Sequence, residues 1–202
     1  MSLLRASAFL LAGLIFLPAA FASALATETN TSSVEFLFVD RTVPDADVLL
    51  SGLVRPMRVV WLDPTRDPFT QIATELEAAS EPVAGLHILS HGAPGALYLG
   101  NNWVNEYAWR SRSSATRRIA GALAADAVVL LYACQVGADP LGQKFVNLIR
   151  ESLKATVFAS TMDVGASAQA GDWSFAPESL LAFTAEARDA YHHLLSADRR
   201  LP

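Results

Sequence analysis

The chain has few of the features that would announce a partner. Cys134 is the only cysteine in 202 residues, so no intramolecular disulfide can form. No run of five or more Lys and Arg occurs, and the net charge is a mild −5. Neither nucleic acid nor an anionic membrane is expected as a partner. Four histidines and one cysteine, at their spacings, make no zinc pattern. Gly92-Ala-Pro-Gly95 lacks the lysine of a phosphate-binding loop, and there is no Gly-x-Ser-x-Gly elbow of a serine hydrolase. No metal and no cofactor is therefore expected. Internal repeats and low-complexity tracts are also missing.

What is present suits a folded globule. Hydrophobic residues make up 52% and charged residues 17%, and the length is enough for one domain with a real core. The N-terminus stands apart. Arg5 precedes the apolar run Ala8 to Leu17, Pro18 breaks that run, and Ala22-Ser23-Ala24 or Ala24-Leu25-Ala26 offers a small-x-small cleavage site. These are the three parts of a secretory signal peptide. Residues 1–26 are expected to be removed, leaving 27–33 as a polar leader and an exported chain, periplasmic or secreted, with no membrane attachment. An uncleaved anchor is the alternative, although the run before Pro18 is short for a span of roughly 20 residues. After export, a lone thiol is a liability unless it is buried or used.

From Val34 onward, apolar runs alternate with helical patterns. Strands are expected at 34–39, 58–62, 85–90, 127–133 and 155–159. Helices are expected at 45–53, 68–79, 114–123 and 141–153. That alternation predicts βαβ units, hence an α/β fold of three layers with a mainly parallel central sheet flanked by helices. Strands buried on both faces read as continuous apolar runs, as several do here. Trp173-Ser-Phe175 is read as a short edge strand. Glu178 to Ala197 is read as one or two helices ending in a loose tail. The domain is placed at 34–176, with 177–202 as a C-terminal helical extension.

In open parallel sheets, chemistry sits at the carboxyl ends of the strands. The third strand is followed by His91-Gly92, and the fourth ends at Ala133-Cys134. If the two strands are neighbours, imidazole and thiol meet at one edge. His91 can then take the Cys134 proton and convert an ordinary thiol into a nucleophile. Gly92 has no Cβ, so a substrate can approach its N–H; the Cys134 N–H is a natural second donor for an oxyanion. The bland alternative is a satisfied loop histidine beside a packed strand-end thiol. Asp40 follows the first strand and either orients His91, lines a pocket or caps its loop. Asp163 and Asp172 follow the fifth strand and form either an acidic pocket or a turn anchor. Asp63 and Asp67 read as turn and helix-start residues, and His87 as a buried mid-strand side chain.

An apolar block ending in His-Gly, followed about forty residues later by an apolar block ending in Ala-Cys, resembles the signature of clan CD cysteine peptidases, which include caspases, gingipains, legumains and separases. The blocks here are Leu86-His-Ile-Leu-Ser-His91-Gly92 and Val128-Val-Leu-Leu-Tyr-Ala133-Cys134. More closely, the chain resembles the DUF4347 family, a caspase-like domain. The matching stretches are Phe38-Val-Asp40, Leu62-Asp63 with Arg66-Asp67 and Gln71-Ile72, Ser90 to Gly95, Leu99-Gly100, Leu131 to Cys134 and Gly171-Asp172-Trp173. The resemblance implies a caspase-like fold and a dyad of Cys134 as nucleophile and His91 as general base. Two functions follow as expectations. One is a peptidase or autoprocessing domain acting on a protein or peptide. The other is a silent caspase-like module for surface attachment, assembly or recognition.

Overall fold

The computed structural model describes residues 33–196. The expected signal peptide and all but Ser33 of the leader lie outside the described residues, as does the end of the tail. Among the described residues, no helix is long and apolar enough to cross a membrane.

Five strands form one parallel sheet: β1 (Val34–Val39), β2 (Arg58–Trp61), β3 (Val83–Leu89), β7 (Leu123–Tyr132) and β8 (Thr156–Ala159), in the order β2-β1-β3-β7-β8. Because side chains alternate across a strand, each apolar run feeds two cores. Phe36, Phe38, Leu86, Ile88, Val129 and Leu131 point to one side. There they meet Phe69, Ile72 and Leu76 of α2 (Pro68–Glu77), Ile119 of α4 (Ser113–Ala122), and Phe145 and Ile149 of α5 (Asp139–Leu153). Leu37, Val39, Leu89, Leu130 and Tyr132 point to the other. They pack with Ala46 and Leu49 of α1 (Ala46–Leu50), Ala187 of α6 (Ala185–Ala190) lying close by, and with Leu181, Phe183, Tyr191 and Leu195. The result is the expected three-layer α/β arrangement with a mainly parallel sheet.

Local chemistry sets the helix ends. Asp67 accepts the Thr70 N–H at 2.9 Å, and Pro68 sits at the first helical position of α2, where its missing N–H costs nothing. α5 ends at Lys154, in the left-handed region at φ 54°.

Three departures from the sequence reading matter. First, His91 does not open a loop. It starts a small antiparallel sheet of β4 (His91–Ala93), β5 (Ala96–Leu99) and β6 (Asn102–Asn105), followed by the short helix α3 (Glu106–Ser111). Gly95 turns the first hairpin at φ 71°, and Gly100 and Asn101 turn the second at φ 55° and 64°. Two successive positive φ values are the mark of a tight hairpin turn. Second, Trp173 to Phe175 is a turn and not an edge strand, and β8 ends the sheet. Third, the stretch after Glu178 is helical only over 178–180 and 185–190. Its remainder, 191–196, is extended and anchored.

Beneath the second core runs a polar chain. Tyr132 donates its hydroxyl to His87 Nδ1 at 3.2 Å and accepts the Ala182 N–H at 2.8 Å. His87 Nε2–H donates to Glu35 at 3.0 Å, and Arg55 donates to Glu35 at 2.7 Å and to the Leu180 and Leu181 carbonyls. This places His87, as expected, in a buried structural role. It also ties the sheet to the C-terminal stretch.

Candidate active site

β1 and β3 lie side by side; the chain passes from β1 to β2 on one side of it and then crosses back to β3 on the other, which makes the carboxyl ends of β1 and β3 a topological switch point. β3 and β7 are direct neighbours in register, with Leu89 opposite Tyr132. His91 and Cys134 each follow two residues later. Their own side chains do not hydrogen-bond each other among the described residues. They share a third party instead. The Gly92 N–H and the Cys134 N–H both donate to the carbonyl oxygen of Leu195, at 3.0 and 3.1 Å.

Gly92 is needed for that approach. A Cβ on it would lie 2.6 Å from the Cys134 carbonyl oxygen and 2.8 Å from the Ala133 Cβ. A real Cβ does not approach other atoms that closely, so any side chain would push β4 away from the β7 end and separate the two donors.

His91 is buried, with 6% of its surface exposed. Its Nε2 lies 3.0 Å from the Thr42 carbonyl oxygen. A carbonyl can only accept, so Nε2 carries the proton and Nδ1 keeps its lone pair. That Nδ1 has no partner among the described residues. The tautomer suits a proton acceptor. Asp40 stands one step behind. Its carboxylate accepts the Thr42 N–H at 2.9 Å and the Thr42 hydroxyl, and on its other oxygen the Gly100 N–H at 2.7 Å. Asp40 therefore caps the loop that presents Thr42 to His91, and binds that loop to the second hairpin. Among the described residues it makes no hydrogen bond to the His91 ring and reaches it through the Thr42 main chain.

Cys134 is more enclosed than the sequence suggested, with 1% of its surface exposed. The sulfur accepts the Val164 N–H at 3.1 Å and faces the Val164 carbonyl at 3.4 Å. Burial pushes the thiol up to about 12. The amides of Val164 and Leu195 offset this only in part, and the negative charge of Asp163 adds to the rise. This closed arrangement shields the sulfur and favours the protonated thiol. The physical reason is a cover the local sequence could not reveal: the chain's own residues 191–196.

Asp163 is near the sulfur and is held there by the Gln135 side-chain amide at 3.0 Å. Gln135 itself has φ 58°, which turns the chain sharply after the cysteine. Asp172 is elsewhere in role. It caps its own turn through the Ser174 N–H at 3.0 Å and the Ser174 hydroxyl, and its N–H donates to the Asp163 carbonyl at 2.8 Å. Asp163 and Asp172 thus meet through the backbone. Among the described residues, no group of three His, Cys, Asp or Glu is placed to hold a metal ion.

Three participants had no readable signal. Thr42 and Val164 contribute main-chain groups, which any residue type possesses. Leu195 sat in what looked like the end of a helix.

No curated protein and no solved structure matches the chain at a significant level. One family profile does, that described as Domain of unknown function (DUF4347), over residues 36–195. The match takes in β1, both His91 and Cys134, and the C-terminal stretch as far as Leu195, and on it the chain belongs to the DUF4347 family.

Proposed function

We propose that this site is a cysteine peptidase centre of the caspase-like, clan CD kind, acting on a protein or peptide after export to the periplasm or beyond. One observation carries the reading. Two backbone N–H groups, from the residue after His91 and from Cys134 itself, converge on a single peptide carbonyl oxygen. That is the arrangement needed to hold the oxyanion of a tetrahedral intermediate beside a nucleophile.

The reaction follows from these groups. The Cys134 S–H gives its proton to His91 Nδ1 as sulfur bonds to the substrate carbonyl carbon. The oxyanion rests on the Gly92 and Cys134 amides. Collapse breaks the C–N bond, and His91 returns the proton to the departing amine. Water, deprotonated by the same nitrogen, then hydrolyses the thioester and restores the thiol. Export rests on the pattern of residues 1–26.

A second reading has its own observation. The buried, protonated thiol, out of hydrogen-bonding contact with His91, suits a catalytically silent module for attachment, assembly or recognition. Digestion of a mixed peptide library separates the two. The wild-type chain is expected to yield cleavage products that Cys134→Ala does not. Identical, uncut libraries would favour the silent module.

A further inference from the structure

The stretch Tyr191 to Ser196 is held the way an extended peptide is held by a sheet edge. It pairs antiparallel with Val164 to Ala166: the Leu195 N–H donates to the Val164 carbonyl and the Ala166 N–H donates to the His193 carbonyl, both at 2.8 Å, with Leu194 opposite Gly165. On its other side Ser196 lies parallel to Gly92. Gly165 has φ 135°, and a Cβ on it would collide with the His193 carbonyl oxygen, so this glycine leaves room for a second strand. Main-chain pairing of this kind gives affinity, while pockets for individual side chains give selectivity.

The side chain of Leu195 fills such a pocket. It is fully buried, in an apolar cluster with Val39, Val43, Leu89, Val164 and Tyr191. Its carbonyl is the one on the two converging amides. The next peptide bond, Leu195–Ser196, is therefore presented where a substrate's scissile bond would be.

Resting on the peptidase reading, we infer that the domain's own C-terminal segment is its substrate, that the Leu195–Ser196 bond is cleaved in cis, and that the site selects leucine before the cut. The balance is simple. Sulfur displaces the Ser196 amine from the Leu195 carbonyl, the amine leaves with the proton returned by His91, and one water converts the thioester to a Leu195 carboxylate and a free thiol. The thiol now rests against Val164, and turns from it toward the carbonyl as it loses its proton. Until the product strand departs, the same segment excludes other substrates from the groove.

Leucine preference follows from the pocket. A carboxylate placed there would be buried among apolar side chains without a partner, which the site cannot accommodate. A thioether of similar volume fits. Leu195→Asp is expected to slow the cut at least about 100-fold, and Leu195→Met by less than about tenfold.

The test is intact-mass analysis of the purified full chain over time, run for wild type, Cys134→Ala, Leu195→Met and Leu195→Asp, with melting temperatures to establish folding. The same samples digest a peptide library. Expected is a product ending at position 195 in wild type and in Leu195→Met, and none in Cys134→Ala. A Cys134-dependent digestion of the library with no cut at Leu195, or with another residue preferred before the cut, overturns this inference and leaves the peptidase reading standing. A cut at Leu195 that persists in Cys134→Ala assigns it to a foreign protease and also overturns the inference. No Cys134-dependent cleavage of any peptide overturns both.

Discussion

Replacing His91 by alanine is expected to slow Cys134-dependent peptide cleavage by about 10²–10⁴-fold, the range a positioned proton acceptor contributes. The expectation comes from the tautomer. Thr42 holds the proton on Nε2, so the free lone pair is on Nδ1, on a ring anchored immediately before one of the two oxyanion donors. Without the ring, a thiol as reluctant to ionise as Cys134 has nowhere to send its proton. The fold should survive, because the ring makes one hydrogen bond and the backbone of β4 is held by β5. Initial rates on a cleaved library peptide measure the effect, with melting temperature as the control. Asp40→Asn is a useful contrast. It loosens the Thr42 loop without removing any reacting group, so its loss should be smaller than that of His91→Ala. A His91→Ala protein that cleaves at the wild-type rate would remove the histidine from the mechanism.

Glu35→Gln is expected to cost roughly 2 kcal/mol of stability at neutral pH, and the difference should vanish in acid. Partial burial alone would raise the Glu35 carboxyl, but the hydrogen bonds from His87 and Arg55, with their charges, outweigh it and lower it from 4.5 to about 2. Taken in full, such a shift is worth about 3.5 kcal/mol at roughly 1.4 kcal/mol per unit. Two facts reduce it. Glu35 keeps 23% of its side chain exposed. His87 is driven toward its neutral form by burial, against the pull of Glu35, so Arg55 is the durable charge partner.

The sign is fixed by the direction of each shift. A depressed carboxyl stabilises above its unfolded value and loses that contribution as pH falls toward 2. A histidine held neutral makes the fold lose stability as pH falls through the unfolded value of 6.5. Both trends make the wild type acid-labile, and Glu35→Gln should have the flatter profile. Urea unfolding between pH 7 and pH 2 measures it. Equal stability of the two proteins at pH 7 would show that the Tyr132–His87–Glu35–Arg55 chain does not hold the C-terminal stretch in place.

The parts of this protein that the sequence disclosed share a physical cause. β1, β3 and β7 carry apolar runs that cannot be solvent-exposed. Once those runs are stacked in parallel, the ends at Asp40, His91 and Cys134 fall at one edge. Gly92 was legible because a missing Cβ beside a candidate nucleophile has few other uses. The hairpins were legible in principle: Pro94-Gly95 and Gly100-Asn101 are turn pairs, flanked by Ala96 to Leu99 and by Trp103-Val104. The βαβ alternation itself carries no sign of them. The cover over Cys134 was not legible. It arrives from some sixty residues further along the chain, and its bonds are between main-chain atoms, so no residue type marks either partner. Leu194-Leu195 looks like the inner face of a helix until the groove that receives it is known. The rise of the thiol to about 12 belongs to the same blind spot, since it reports enclosure and not local sequence.

Covalent capture is the sharpest test of Cys134 as the nucleophile. A peptidyl chloromethyl ketone ending in leucine places an electrophilic carbon where the scissile carbonyl would lie. A single adduct on Cys134 is expected in the folded wild-type chain once the Leu195–Ser196 bond has been cut and the strand has left the groove, identified by tandem mass spectrometry, with no adduct over the same time in His91→Ala. A Cys134 that stays unmodified in the folded, self-cleaved chain and reacts only once the chain is unfolded in urea would contradict a catalytic role for it.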